Sequence, residues 1–164
     1  MKNIARQILS LILPFTVLIL VPRSIEREFT FRLDVLSILG CMVMLLGATG
    51  LGITISMFIR IGKGTLAPWS PTRKLVTGSL YAYVRNPMIT SVLTGLLGES
   101  LFFHSVRIFA WAGIFLVINS VYFVLVEEPG LASRFGDEYL EYKRNVPRWI
   151  PRWTPWRPPD EQTG

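Results

Sequence analysis

Four apolar runs separated by short polar segments take up most of the 164-residue chain. Residues 8–21 form a short first run. Residues 35–59 are 25 positions without a charge. Residues 88–103 form a third run, interrupted by Glu99, and residues 108–126 form a fourth with no charge at all. A transmembrane helix needs about 20 mainly apolar residues. The second run can therefore span with tilt, and the first reaches that length only with help from Ile4 and Ala5. Past the fourth run, Leu131, Phe135, Tyr139, Tyr142 and Val146 recur at helical spacing, which predicts an amphipathic helix lying on the membrane surface. The expected fold is an all-α integral-membrane bundle of four transmembrane helices with a cytoplasmic amphipathic C-terminal helix, one domain over residues 1–164. Lys2 and Arg6 ahead of the first run resemble a signal peptide, but Val21-Pro22-Arg23 is a poor cleavage site, so the run reads as a retained helix.

Composition agrees with this pattern: 51% hydrophobic, 17% charged, mean hydropathy +0.43, too apolar for an ordinary soluble domain. The basic residues set the orientation. Of 17 Lys and Arg, 13 fall in the N-terminus, the 60–87 loop and the segment after residue 126, and 4 fall in the two other loops. Positive residues collect on the cytoplasmic side, so both termini and both large polar segments are expected there. The net charge of +6 then reflects topology and attraction to anionic headgroups. Nucleic acid is not an expected partner, because the basic residues flank membrane helices. Cys41 is alone, which excludes an intrachain disulfide and a cysteine metal site. Ala48, Gly52 and Ser56 recur every four residues in the second run, a spacing that lets another helix approach closely. Gly40, Gly47 and Gly50 add to the same expectation.

The loop from 60 to 87 holds Arg60, Lys63, Arg73, Lys74 and Arg85 and no acid. At its end, Pro87 suits the first turn of the third helix and Asn86 suits its N-cap. A helix N-terminus favours an anion, and Arg85 stands beside it. Where the fourth run leaves the membrane, Glu127 and Glu128 sit together at a helix end whose dipole they oppose. That calls for a cationic partner, which could be a ligand or a structural salt bridge to Arg85 or Arg73. The tail repeats Pro-Arg-Trp around Trp149 and Trp153 and closes on Trp156-Arg157, a composition suited to the headgroup interface. His104, the sole histidine, is expected to be a solvated loop residue. Glu99 lies roughly 16 Å into the third helix at about 1.5 Å per residue. An acid inside a membrane helix is a functional candidate or else a protonated carboxyl hydrogen-bonded to a neighbouring helix, and a small cation-coupled exporter centred on Glu99 is the reading from another class.

Leu-Val-Thr, then Tyr-x-Tyr-Val-Arg-Asn-Pro-Met, the Glu-Glu pair, Arg-Phe-Gly-x-x-Tyr-x-x-Tyr and Val-Pro-Arg-Trp together resemble the isoprenylcysteine carboxyl methyltransferase and phospholipid methyltransferase superfamily, over about residues 60–152. The resemblance implies a multispan membrane enzyme that uses S-adenosylmethionine, with its cofactor region in 60–87 and 127–152. It implies cofactor contacts at Gly62, Gly64, Lys74, Leu75, Val76, Tyr81, Arg85, Asn86, Pro87, Met88, Ile89, Glu127 and Glu128. Among these, Arg85, Glu127 and Glu128 are the expected catalytic residues, and no metal is implied. Three positions depart from the pattern. Asn86 replaces the common His, Ile89 replaces a Tyr, and Phe123 stands where the prenylcysteine enzymes carry an Arg for the substrate carboxylate. Asn86-Pro87-Met88 and Glu127-Glu128-Pro129 match the phospholipid branch, and with Phe123 they favour a lipophilic acceptor with an amine or neutral head. A prenylcysteine carboxylate is the alternative.

Overall fold

In the computed structural model, residues 12–29, 32–61 and 75–158 are described. All of their regular structure is helical. Helix α1 covers Ile12–Ile25, α2 Val35–Ile61, α3 Pro87–Phe102, α4 Val106–Tyr122 and α5 Glu128–Asn145. Two helices, α2 over Val35–Met57 and the one beginning at Val106, are long and apolar enough to cross a membrane; α1 and α3 are shorter apolar helices. At about 1.5 Å per residue, the 16 residues of α3 reach roughly 24 Å. Glu99 therefore lies about one turn from the far end of α3. It is half-buried.

Two prolines widen the helices ahead of them. Before Pro22 the chain makes a π-helical turn at Thr16–Leu20, and the Val21 N–H bonds the Thr16 carbonyl. Pro22 has no N–H to donate, so the Val17 carbonyl loses its helical donor. The indole N–H of Trp111 on α4 donates to it instead, at 3.2 Å. The same geometry recurs at Phe123–Glu127, where the Glu128 N–H bonds the Phe123 carbonyl just before Pro129. Helix α4 thus passes through this widened turn directly into α5, where the sequence suggested a break. The break comes later, at Gly136, whose φ of 53° is in the left-handed region that glycine adopts without penalty.

Helix α3 is central. Its one face packs on α2 almost backbone to backbone. A Cβ added at Gly98 would lie 2.5 Å from the Met44 nitrogen, one at Gly47 2.6 Å from the Gly95 nitrogen, and one at Gly40 2.5 Å from the Phe102 nitrogen. The stripe of α2 that meets α3 includes Ser37, Gly40 and Gly47, all buried, and Gly50, where an added Cβ would lie 2.5 Å from Ser91 Oγ. Ala48, Gly52 and Ser56 are exposed, and a Cβ at Gly52 would meet nothing within 4 Å. The packing stripe expected from those three residues is therefore on the wrong face; the glycines expected to add to it make the contact. The other face of α3 gives Ile89, Val92 and Leu96 to an apolar core shared with Ile108, Ala112 and Phe115 of α4, with Val17 and Leu18 of α1 against it.

At the end of the bundle away from Arg85 the loops are tied by side chains. Asp34 accepts the Ser37 N–H at 2.9 Å at the start of α2. His104 Nε2 lies 3.3 Å from Asp34 Oδ2 and 3.1 Å from Ser37 Oγ. Glu26 pairs with Arg107 at 3.0 Å and accepts the Ser105 hydroxyl. His104 is thus pinned between two helices rather than solvated.

Candidate functional site

At the other end, the segment before α3 folds as a 3-10 turn, Ser79–Ala82, with Ser79 at φ 54°, a left-handed conformation costly for a residue with a Cβ. Pro87 opens α3 as expected. Asn86 takes the N-cap position, but its side chain makes no capping bond; only its carbonyl is used, accepting the Thr90 N–H at 3.0 Å. The Asn86 amide is therefore left over from helix capping.

The tail after α5 runs back across this segment as a strap. The Arg85 N–H donates to the Pro147 carbonyl, the Arg152 N–H to the Tyr83 carbonyl and the Trp156 N–H to the Ala82 carbonyl, each at 2.9 Å. The Tyr142 hydroxyl donates to the Tyr81 carbonyl at 2.8 Å. Tyr139, Tyr142 and Val146 form a small buried core with Leu75, Phe135 and Trp156 packed on it. Burial explains why these aromatics share a helix face: the amphipathic helix rests on the loop before α3. The tail's tryptophans divide. Trp149 packs edge-on against Phe123 at 5.8 Å and Trp156 lies 5.6 Å from Tyr142, while Trp153 is 98% exposed.

The two adjacent acids have opposite surroundings. Glu128 is buried and holds three cations: Arg85 at 2.9 Å, Lys143 at 2.7 Å and Arg148, whose Nε donates at 2.8 Å. Desolvation pushes its carboxyl up, but the bonds to Lys143 and Arg148 and the charges of Arg85 and Arg148 outweigh it, so it stays below the usual carboxylate range. Glu127 is half-buried. Burial pushes its carboxyl up, only partly opposed by the charge on Arg134 and a hydrogen bond from Tyr122. Burial raises the Tyr81 hydroxyl as well, and the charge on Glu127 adds to it. Neighbouring residues of a helix point about 100° apart, which lets one acid serve the strap and the other face Tyr81 and Tyr122.

Of the residues singled out from the sequence, Arg85, Glu128 and the strap meet directly, and Glu127 and Tyr81 lie beside them. Leu75 packs under Tyr139 and Tyr142, and Val76 is half-buried. Pro87 and Ile89 are buried, with Ile89 in the core between α3 and α4 and Met88 against it. Gly62, Gly64 and Lys74 lie outside the described residues. Lys143 and Arg148 did not stand out in the sequence as partners of Glu128. Arg148 lay in a recognisable Val-Pro-Arg-Trp motif but read as a headgroup contact. Among the described residues no group of three or more His, Cys, Asp or Glu could hold a metal ion.

The chain can be compared with known proteins on this footing. Protein-S-isoprenylcysteine O-methyltransferase of Schizosaccharomyces pombe is 34% identical over 80 residues, 47% of this chain and 33% of that protein. The chain thus matches about a third of that relative's length. An uncharacterized protein of Haemophilus influenzae is 44% identical over 43 residues, 25% of this chain and 68% of that protein. No solved structure matches. The phospholipid methyltransferase family matches residues 35–138, a stretch that takes in α2, α3, α4, Arg85 and both acids, and the chain belongs to that family.

Proposed function

We propose that this protein is an S-adenosylmethionine-dependent membrane methyltransferase whose acceptor is a lipophilic molecule, a lipid with an amine or neutral head. The observation that carries the reading is the split of the acid pair: Glu128 is saturated by cations, while Glu127 keeps a carboxyl beside two tyrosines at the end of an apolar helix. The residues fit the cofactor's charges. Arg85, with the start of α3 at Asn86, suits a carboxylate. Glu127 suits an ammonium or sulfonium, and the face of Tyr81 suits a cation. When bound, the cofactor supplies an electrophilic methyl for in-line displacement. The chain's part is to align the two reactants, exclude water and take up a proton where the acceptor is an amine. The acceptor's head would enter from the bilayer with its tail between helices.

Purified protein should bind S-adenosylhomocysteine, and Glu127→Ala should weaken binding. Loss of a charge-assisted contact removes about 1.5–3 kcal/mol, roughly tenfold or more in affinity. Incubation of the enzyme with labelled S-adenosylmethionine and a membrane-lipid extract, followed by mass identification of the product, names the acceptor. No calorimetric response to S-adenosylhomocysteine, together with loss of function in Glu99→Gln, would favour the exporter reading.

A second reading, carboxyl O-methylation of a prenylcysteine, draws on the fission yeast relative. Phe123 opposes it. A carboxylate in a low-dielectric pocket needs a positive partner, and here an aromatic ring packed edge-on against Trp149 occupies that place. In a competition between a prenylcysteine analogue and total membrane lipid, base-labile methyl ester should be the minor product.

The topology proposed with this function has four spans with both termini and the site cytoplasmic, on the basic asymmetry of the loops. Reporter fusions at Glu28 and at the C-terminus should then report opposite sides of the membrane. The same side for both rejects it.

A further inference from the structure

Arg85 is held at both ends. Its backbone N–H is fixed by the Pro147 carbonyl at 2.9 Å, and its Nη1 is fixed by Glu128 at 2.9 Å and lies 3.4 Å from the Tyr139 hydroxyl. The side chain is only 11% exposed. Yet its Nε is buried with no hydrogen-bond partner. A guanidinium is a rigid fork that binds a carboxylate through two parallel N–H bonds. Glu128 engages it through Nη1, which leaves the edge carrying Nε without a partner. A buried donor left without a hydrogen bond is costly, so a native structure that keeps one calls for an explanation. The surrounding charge points the same way. Arg85, Lys143 and Arg148 converge on the single carboxylate of Glu128, so the cluster carries an excess of positive charge that an anion would balance.

We infer that Glu128 is a positioning residue: it binds no part of the methyl donor itself, but aims the Nε edge of Arg85 at the donor's α-carboxylate, with Arg148 of the strap locking the arrangement. This rests on the methyltransferase reading above. Glu128 accepts from Arg148 through the same oxygen that accepts from Arg85. The strap that carries Arg148 also supplies the Pro147 carbonyl under the Arg85 backbone. Chain segments far apart in sequence thus converge on one guanidinium, and none of them needs to touch the ligand. The role is also separate from that of Glu127, whose carboxyl has Tyr122 and not a basic residue as its hydrogen-bond partner.

The test compares two ligands on the full-length protein in detergent by calorimetry. S-adenosylhomocysteine carries the α-carboxylate, and 5′-methylthioadenosine carries the adenosine and thioether without the amino-acid part. Glu128→Gln keeps the side chain's shape and removes the charge that fixes Arg85. It should weaken S-adenosylhomocysteine roughly tenfold, as expected for a charge-assisted contact, while leaving methylthioadenosine within about twofold. Arg148→Gln is the second variant, for the case that Glu128→Gln does not fold, and should produce the same selective loss to a smaller extent. Equal losses for both ligands would mean a merely structural role and overturn the inference, as would unchanged binding of both. Wild-type protein that binds neither ligand overturns the methyltransferase reading itself, and the two failures are thereby told apart.

Discussion

Gly98→Val is expected to prevent the bundle from forming, while Gly52→Val is expected to leave it intact. Both residues are glycines in apolar helices, and composition does not separate them. At Gly98 the new side chain would begin 2.5 Å from the Met44 nitrogen and 2.9 Å from the Gly40 carbonyl oxygen. Backbone atoms of a packed helix cannot rotate away as a side chain can, so α2 and α3 must separate along their length. Overpacking a core costs about 1–3 kcal/mol where side chains can adjust, and this site belongs at or above the top of that range. In lipid the loss is not compensated elsewhere, because close approach of small residues is what draws apolar helices together there. Gly47→Val should behave in the same way, since its Cβ would lie 2.6 Å from the Gly95 nitrogen. At Gly52 the added atoms meet open space, which in a membrane is lipid. Thermal stability of detergent-purified variants, read as the fraction surviving as a monodisperse species, checks the pair. A Gly98→Val protein as stable as the wild type would remove α2–α3 backbone packing from this account.

Glu128→Ala is expected to cost roughly 3–5 kcal/mol, the penalty for leaving a buried partner charge unpaired. That is a large part of the total of about 5–15 kcal/mol that a typical fold has. Arg85 would keep its burial and lose its counter-charge, and Arg148 would lose the bond that holds the strap. The same residue sets an acid limit. Glu128 is held below its ordinary value of 4.5, so its stabilising contribution is fully present above that value. It is lost as pH falls through the lower value of the folded state. Glu127 has the opposite sign. Burial raises its carboxyl, so the ionised form opposes folding, and protonation in mild acid relieves that cost. A wild-type melting curve followed from neutral pH downward should first hold or rise slightly, then fall once Glu128 titrates. Glu128→Ala should show a smaller second phase, the remainder coming from Asp34, which the Ser37 N–H also holds below its ordinary value, and Glu127→Gln should lack the first. Cofactor affinity should fall with Glu127 protonation, at a pH where Glu128 is still ionised.

Much of this architecture can be read from local properties. Hydropathy marks the four apolar helices because an apolar run is a local property of the chain, whatever the partners, and two of them are long and apolar enough to cross a membrane. Pro87 marks the start of α3 because a missing N–H costs nothing in a first helical turn. Pro22 and Pro129 also lack a donor, but inside continuous helices. The chain answers with widened turns, and whether a proline ends a helix or only widens it depends on what else supports the flanking residues. At Val17 that support is the indole of Trp111, 94 residues away.

The sequence by itself determined the helical class, the apolar runs, the basic loop, the acid pair and the motifs that assign the family. These are properties of composition and short spacing. Only the tertiary structure decided which small residues pack and which acid is paired. Ala48, Gly52 and Ser56 form as good a stripe on paper as Gly40 and Gly47, but a helix in lipid has no polar face to orient it. Its packing face is chosen by complementarity with Gly95 and Gly98 on α3. Glu127 and Glu128 are chemically identical neighbours, and a rotation of about 100° along the helix sends one towards Tyr122 and the other into Arg85, Lys143 and Arg148. Ion pairing acts through space, so the different surroundings of the two acids come only from the strap folded back across the loop before α3.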